Sequence, residues 1–142
     1  MLNNKSLLIW DINKDIPEEY NEIIAWKNFS KDSSNSVVSI NQLVEDNSDF
    51  YRAKYLSLIY ELGELRVDGK KVIDHHKIKS GFSYWWSSLL VEKCNVIKSP
   101  EIDNAIKLFA LEELLIVEKY TQIHLVSSNK ELSKSIKLLT DK

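Results

Sequence analysis

Two short apolar runs near opposite ends of the chain constrain its fold most. Leu7-Leu8-Ile9-Trp10 lies between Ser6 and Asp11, and Ile123, Leu125 and Val126 lie within Thr121–Ser127. Each has strand length and is bounded by polar residues. The second follows a segment of roughly five turns with helical periodicity. Parallel strands need a crossover of this kind, because no tight turn can join them. We therefore expect residues 1–142 to form a single α/β domain, Rossmann-like and three-layered. Its sheet should be mostly parallel, carry a small hairpin, and set the stretches near residues 7 and 123 side by side. With only 3 Gly and 2 Pro in 142 residues, a sandwich of many short strands or a disordered linker is a poor fit.

Between the two runs, Pro17 to Phe29 reads two ways. Pro17 followed by Glu18 and Glu19 suits a helix start, yet Ile23-Ile24-Ala25-Trp26 has the density of a strand. Ser30 to Asn35 is a loop by composition, and Val37 to Ile40 is a short β-branched strand. From Asp49 the period changes, with Tyr51, Tyr55, Leu58, Leu62 and Leu65 predicting an amphipathic helix that stops near Gly63. Asp68-Gly69, between two short alternations within Leu65–Ile73, signals a hairpin. Phe82 to Cys94 opens with aromatics and continues as helix. Ser99, Pro100 and Glu101 are an N-cap, a first-position proline and a dipole-complementing carboxylate, starting a helix to about Lys119. Asn129 caps a last helix carrying Leu132, Ile136 and Leu139.

Charge and targeting features narrow the function classes. The net charge of −2 offers no field for a phosphate backbone, so nucleic acid is not an expected partner. The single cysteine, Cys94, cannot form an intrachain disulfide and fits a reducing compartment. The first apolar run falls short of a signal-peptide core (~7–15 residues) and of a membrane span (~20 residues). No transmembrane segment is expected, and a cytoplasmic location is. Neither a glycine-rich dinucleotide loop, a P-loop nor a nucleophile elbow occurs, so no cofactor is expected in this chain.

Four constellations could carry chemistry. Asp11 ends its strand where α/β folds place ligands, or serves as a turn residue. Asp74-His75-His76 reads as a strand end whose imidazoles point to opposite faces. It is a poor metal site, with His124 alone on another strand. Ser127-Ser128-Asn129 could meet an anion or simply cap the last helix. Tyr84-Trp85-Trp86 cannot all face one core, so at least one ring should reach a surface where it could stack on a sugar. Glu92-Lys93 would follow about two turns later.

The run from Phe82 to Asn95 (FSYWWSSLLVEKCN), with Lys98–Ile102 and Ala105–Leu108, resembles the N-terminal region of a family of bacterial surface-carbohydrate biosynthesis proteins, of O-antigen or capsule type. Leu8-Ile9-Trp10-Asp11 and Tyr51 to Gly69 share the likeness. The resemblance implies the N-terminal, acceptor-side domain of a two-domain glycosyltransferase. A missing C-terminal domain would grip the nucleotide-sugar donor, so this chain alone would be inactive. A sugar or glycan acceptor would then meet Tyr84, Trp85 and Trp86, with Glu92 or Asp11 orienting hydroxyls. Two readings from other classes stand beside it: a non-catalytic interaction or scaffold domain using the aromatic cluster, and a small metal hydrolase using His75.

Overall fold

A computed structural model of the chain describes residues 5–17, 19–20, 22–27, 37–88, 91 and 99–141. The chain divides into two compact units, Met1–Ser48 with Lys107–Lys142, and Asp49–Ile106.

The first unit holds a four-stranded sheet built from β1 (Ser6–Asp11), β2 (Glu22–Ala25), β3 (Val37–Ser39) and β6 (Gln122–Ser127). Its order is β3-β2-β1-β6, and every pairing is parallel. The two stretches expected to be neighbours are so over their full length, from Ser6 beside Gln122 to Asp11 beside Ser127. The ambiguity at Pro17–Phe29 resolves in favour of a strand at Ile23-Ile24-Ala25, next to β1. Leu7, Leu8 and Ile9 are all buried, as are Ile23, Ile24 and Ala25. Successive strand residues face opposite sides, so the centre of the sheet is covered on both faces, and this accounts for runs that do not alternate. Ile40, expected to end β3, instead starts α1 (Ile40–Asp46) and is itself buried.

Helix α4 (Pro100–Val117) begins in the second unit and ends in the first, where Ala110 and Leu111 are buried. It starts at the expected Ser99-Pro100 boundary, where the backbone Ser99 O accepts from the Ile102 N–H at 3.1 Å and the Ser99 hydroxyl donates to Glu101 Oε2 at 3.3 Å. Helix α5 (Lys130–Thr140) buries Leu132 and Ile136 and is capped by Asn129. A polar clasp closes the amino end of the sheet. Lys5 Nζ lies 2.9 Å from Glu22 Oε1 and 2.5 Å from Glu118 Oε2, and Tyr120 OH donates to Glu22 Oε2 at 2.6 Å.

In the second unit, α2 (Ser48–Glu64) buries Tyr51, Tyr55, Ile59 and Gly63, one residue in four. The helix stops as expected near Gly63, one residue later at Glu64. A Cβ at Gly63 would stand 2.9 Å from Trp85 Nε1, so its glycine is required by close approach. The hairpin signalled by Asp68-Gly69 is present but short, pairing β4 (Arg66–Val67) with β5 (Lys70–Lys71). Both turn residues have positive φ, 50° and 77°, the geometry that a tight two-residue hairpin demands.

One local expectation is corrected. Asp74-His75-His76 is not a strand end: Val72–His75 forms a short helix, α3, and His76 follows as a turn. The aromatics themselves form a 3₁₀ turn at Tyr84–Ser87, where Ser83 Oγ accepts from the Trp85 N–H, and the helix expected through Leu89, Leu90 and Lys93 falls outside the described residues. Leu89, Leu90, Glu92, Lys93, Cys94 and the Ser30–Asn35 loop lie outside the described residues. No helix among the described residues is long and apolar enough to cross a membrane.

Candidate functional site

In the first unit the chain runs from β1 outward through β2 to β3, then returns to the other side of β1 as β6. The strand order therefore reverses between β1 and β6. At such a reversal the connections leave in opposite directions, opening a crevice beyond the carboxyl ends of the two strands where α/β proteins take ligands. Asp11 and Ser127 are the paired last residues of these strands.

Asp11 is 2% exposed. The hydroxyl of Ser127 donates to its Oδ2 at 2.5 Å, a charge-assisted bond of the short, strong kind. Ser127 Oγ also accepts from the Asn129 N–H at 3.0 Å, so its position is fixed from both sides. The other carboxylate oxygen, Oδ1, has no hydrogen-bond partner among the described residues. It faces Lys27 Nζ at 3.5 Å, and the Lys27 side chain is 47% exposed. A buried carboxylate oxygen that makes only a long ion pair to a solvent-facing amine retains acceptor capacity.

The start of α5 lies beside this carboxylate, and its donors are occupied. Asn129 Oδ1 accepts from the N–H groups of Glu131 and Leu132, both at 3.1 Å, and Asn129 O accepts from Ser133 N–H. Of the two readings of Ser127-Ser128-Asn129, the cap is the arrangement present. The N–H groups of Asn129, Glu131 and Leu132, which could otherwise help cradle an anion, are filled by the protein itself.

Sequence reasoning overlooked two lysines at this end of the sheet. Lys107 on α4 is buried, with Nζ donating to Trp26 O at 3.0 Å. Trp26 N–H in turn donates to Trp10 O at 2.9 Å, extending the β1–β2 ladder. A signal for Lys107 exists: it stands four residues before Leu111 and seven before Leu114, on the apolar stripe of α4. Lys27 has none, because a lysine after a strand usually lies in solvent.

The remaining expected site residues fall in the second unit or outside the described residues. Trp85 is buried (6% exposed) against Gly63, with its ring centroid 6.2 Å from that of His76. Tyr84 (59%) and Trp86 (50%) are exposed, with Phe82 and Ile78 also open to solvent. The triplet thus divides as its spacing required, one ring inward and two outward. Glu92 lies outside the described residues.

No group of three or more His, Cys, Asp or Glu among the described residues could hold a metal ion. His75 Nε2 donates to Val67 O and His76 Nδ1 to Val72 O, each at 2.8 Å. His124 packs edge-on against Tyr20 at 5.6 Å between ring centroids.

Cavities lined by described residues elsewhere in the first unit include two. One, of about 310 Å³, is lined by Leu7, Ile24, Val38 and Leu114, with the Lys5–Glu22–Glu118–Tyr120 clasp at its rim. The other, of about 410 Å³, is lined by Leu115, Ile123, Tyr120 and Leu139. The clasp is a set of satisfied partners. Burial pushes the Tyr120 hydroxyl up, and its bond to Glu22 pushes it further. Burial also acts upward on Glu22, but the bonds from Tyr120 and Lys5 outweigh it and leave its carboxyl below the usual range.

Fold and site together define an α/β domain with a parallel sheet and a buried carboxylate at the reversal of strand order. Comparison of the chain with family models, curated proteins and solved structures finds no match.

Proposed function

We propose that the chain is the acceptor-side domain of a glycosyltransferase in bacterial surface-polysaccharide biosynthesis, and that the carboxyl edge of β1 and β6 receives the sugar acceptor. The observation carrying this reading is the Asp11 carboxylate, fixed through Oδ2 by Ser127 while Oδ1 accepts no hydrogen bond from the described residues. A sugar hydroxyl is both donor and acceptor. Between Asp11 Oδ1 and Lys27 Nζ it meets one group of each kind. The filled first turn of α5 argues against a nucleotide diphosphate here, in keeping with a donor held by another domain. The likeness of Phe82–Asn95 to surface-carbohydrate biosynthesis proteins supplies the reaction class.

A second reading, a protein-interaction domain, is favoured by the outward cluster of Ile78, Phe82, Tyr84 and Trp86 in the second unit. Amide chemical-shift mapping with a panel of mono- and disaccharides separates the two. Saturable shifts at Asp11, Lys27 and Ser127 support the acceptor reading. A panel without any such shift there removes it and leaves the interaction reading.

A further inference from the structure

Resting on that acceptor reading, we infer that the site at Asp11 selects a neutral, hydroxyl-bearing sugar over an acidic or phosphorylated one. Four of the donors that could hold an anion there are already engaged. The Ser127 hydroxyl proton is donated to Asp11, and the N–H groups of Asn129, Glu131 and Leu132 are donated to Ser127 Oγ and Asn129 Oδ1. The cation that the described residues set against Asp11 is Lys27, 3.5 Å from its Oδ1.

An anion drawn to Lys27 competes with Asp11 for it. As it takes the ammonium, it leaves a carboxylate oxygen that is buried and bears neither a hydrogen bond nor an ion pair. That state is strongly disfavoured. The anion also stands close to a like charge with little water between them. A neutral hydroxyl provokes no such exchange. It donates to Oδ1 and accepts from Nζ, relaying the existing pair instead of breaking it. The exposed Lys27 side chain needs only a small swing to admit it.

The test is amide-shift titration of the full chain with matched ligands: methyl glucoside, methyl glucuronide and glucose 6-phosphate, then their galacto counterparts. The expected result is that a neutral glycoside binds at the Asp11, Lys27 and Ser127 amides at least about tenfold more tightly than its acidic or phosphorylated match. Asp11→Asn should narrow that gap by removing the like charge. Lys27→Met, which also leaves Asp11 Oδ1 without its ion pair and is therefore checked for an intact fold by far-UV circular dichroism, should weaken the neutral ligand. An acidic or phosphorylated sugar that binds at these amides as tightly as its neutral match overturns the inference while leaving the acceptor reading standing. If no sugar of either class shifts these amides, the acceptor reading fails and the selectivity with it. A neutral ligand whose affinity is unchanged in both variants also overturns the inference.

Discussion

Replacing Gly63 by alanine sets two effects of known size against each other. Alanine is favoured over glycine inside a helix by about 0.8–1 kcal/mol, and slightly less here because α2 ends one residue later, at Glu64. The added methyl would stand 2.9 Å from Trp85 Nε1 and 3.3 Å from Cε2, well inside the ~3.5–4.0 Å optimum for such contacts. The obstructing atoms belong to a rigid ring that is 6% exposed. The ring's backbone is pinned where Trp85 N–H donates to Ser83 Oγ, which itself donates to Ile73 O at 2.6 Å. Overpacking of this kind costs about 1–3 kcal/mol. The clash wins, and Gly63→Ala should destabilise by about 1 kcal/mol. The decisive measurement is a double-mutant cycle in urea, followed by far-UV circular dichroism, with Trp85→Leu as the second change. Once the ring is gone, Gly63→Ala should become stabilising, with a coupling energy of about 1–3 kcal/mol. A Gly63→Ala gain of the same size in both backgrounds would show that the indole yields freely, and the close-approach argument would be wrong.

Three further outcomes follow from the first unit. Asn129→Ala removes the acceptor for two first-turn N–H groups and should cost about 1 kcal/mol in the same urea assay. A cost near zero would mean that the cap is replaced by water. Glu22 has its folded-state pKa below the ordinary value of 4.5. It therefore contributes stability that is present above that value and lost as pH falls through the folded pKa. Glu22→Gln should flatten the acid limb of a stability–pH profile, and parallel limbs for the two proteins would exclude Glu22 as a source. Lys5 is shifted upward, chiefly by its bonds to Glu118 and then Glu22. Its contribution is full below its ordinary 10.5 and disappears as pH rises through the folded value, so Lys5→Met should blunt the alkaline limb.

The elements legible in the sequence were those whose determinants are local. Pro100 after Ser99, Asn129 before a helical stripe, and Asp68-Gly69 each settle a backbone conformation within a few residues. Strand β1 was legible because burial on both faces leaves no alternation to misread, and the edge strand β6 because half-buried Ile123 and Leu125 alternate with exposed Gln122 and His124. Helix α3 was missed because its four residues sit where a strand was continuing. What ends β5 at Lys71 is the backbone around it, with Val72 N–H donating to Leu65 O at 2.8 Å. Gly63 marked the helix end to within one residue, but its close packing left no local sign. The ring that requires it lies 22 residues on. At the candidate site, Asp11 was visible as a strand-end carboxylate. Its partner Ser127 stands 116 residues away, and only the β1–β6 register joins them. Lys107 was readable from its place on the α4 stripe, whereas the position of Lys27 beside Asp11 left no mark in the sequence.

The clasp at the amino end of the sheet has a consequence for how the molecule assembles. Lys5 meets Glu118 across 113 positions and Tyr120 reaches Glu22 across 98, whereas β1 and β2 need only a short excursion to meet. Closing a long loop must precede any gain from the contacts it makes possible, so pairings this distant form slowly. As the chain leaves the ribosome, the first strand finds one neighbour early and waits for the other until residue 127 has emerged. Throughout that interval one edge of β1 and the carboxylate at its tip stay open to other chains. The molecule is most vulnerable to mispairing then, and a chaperone would have its best opportunity.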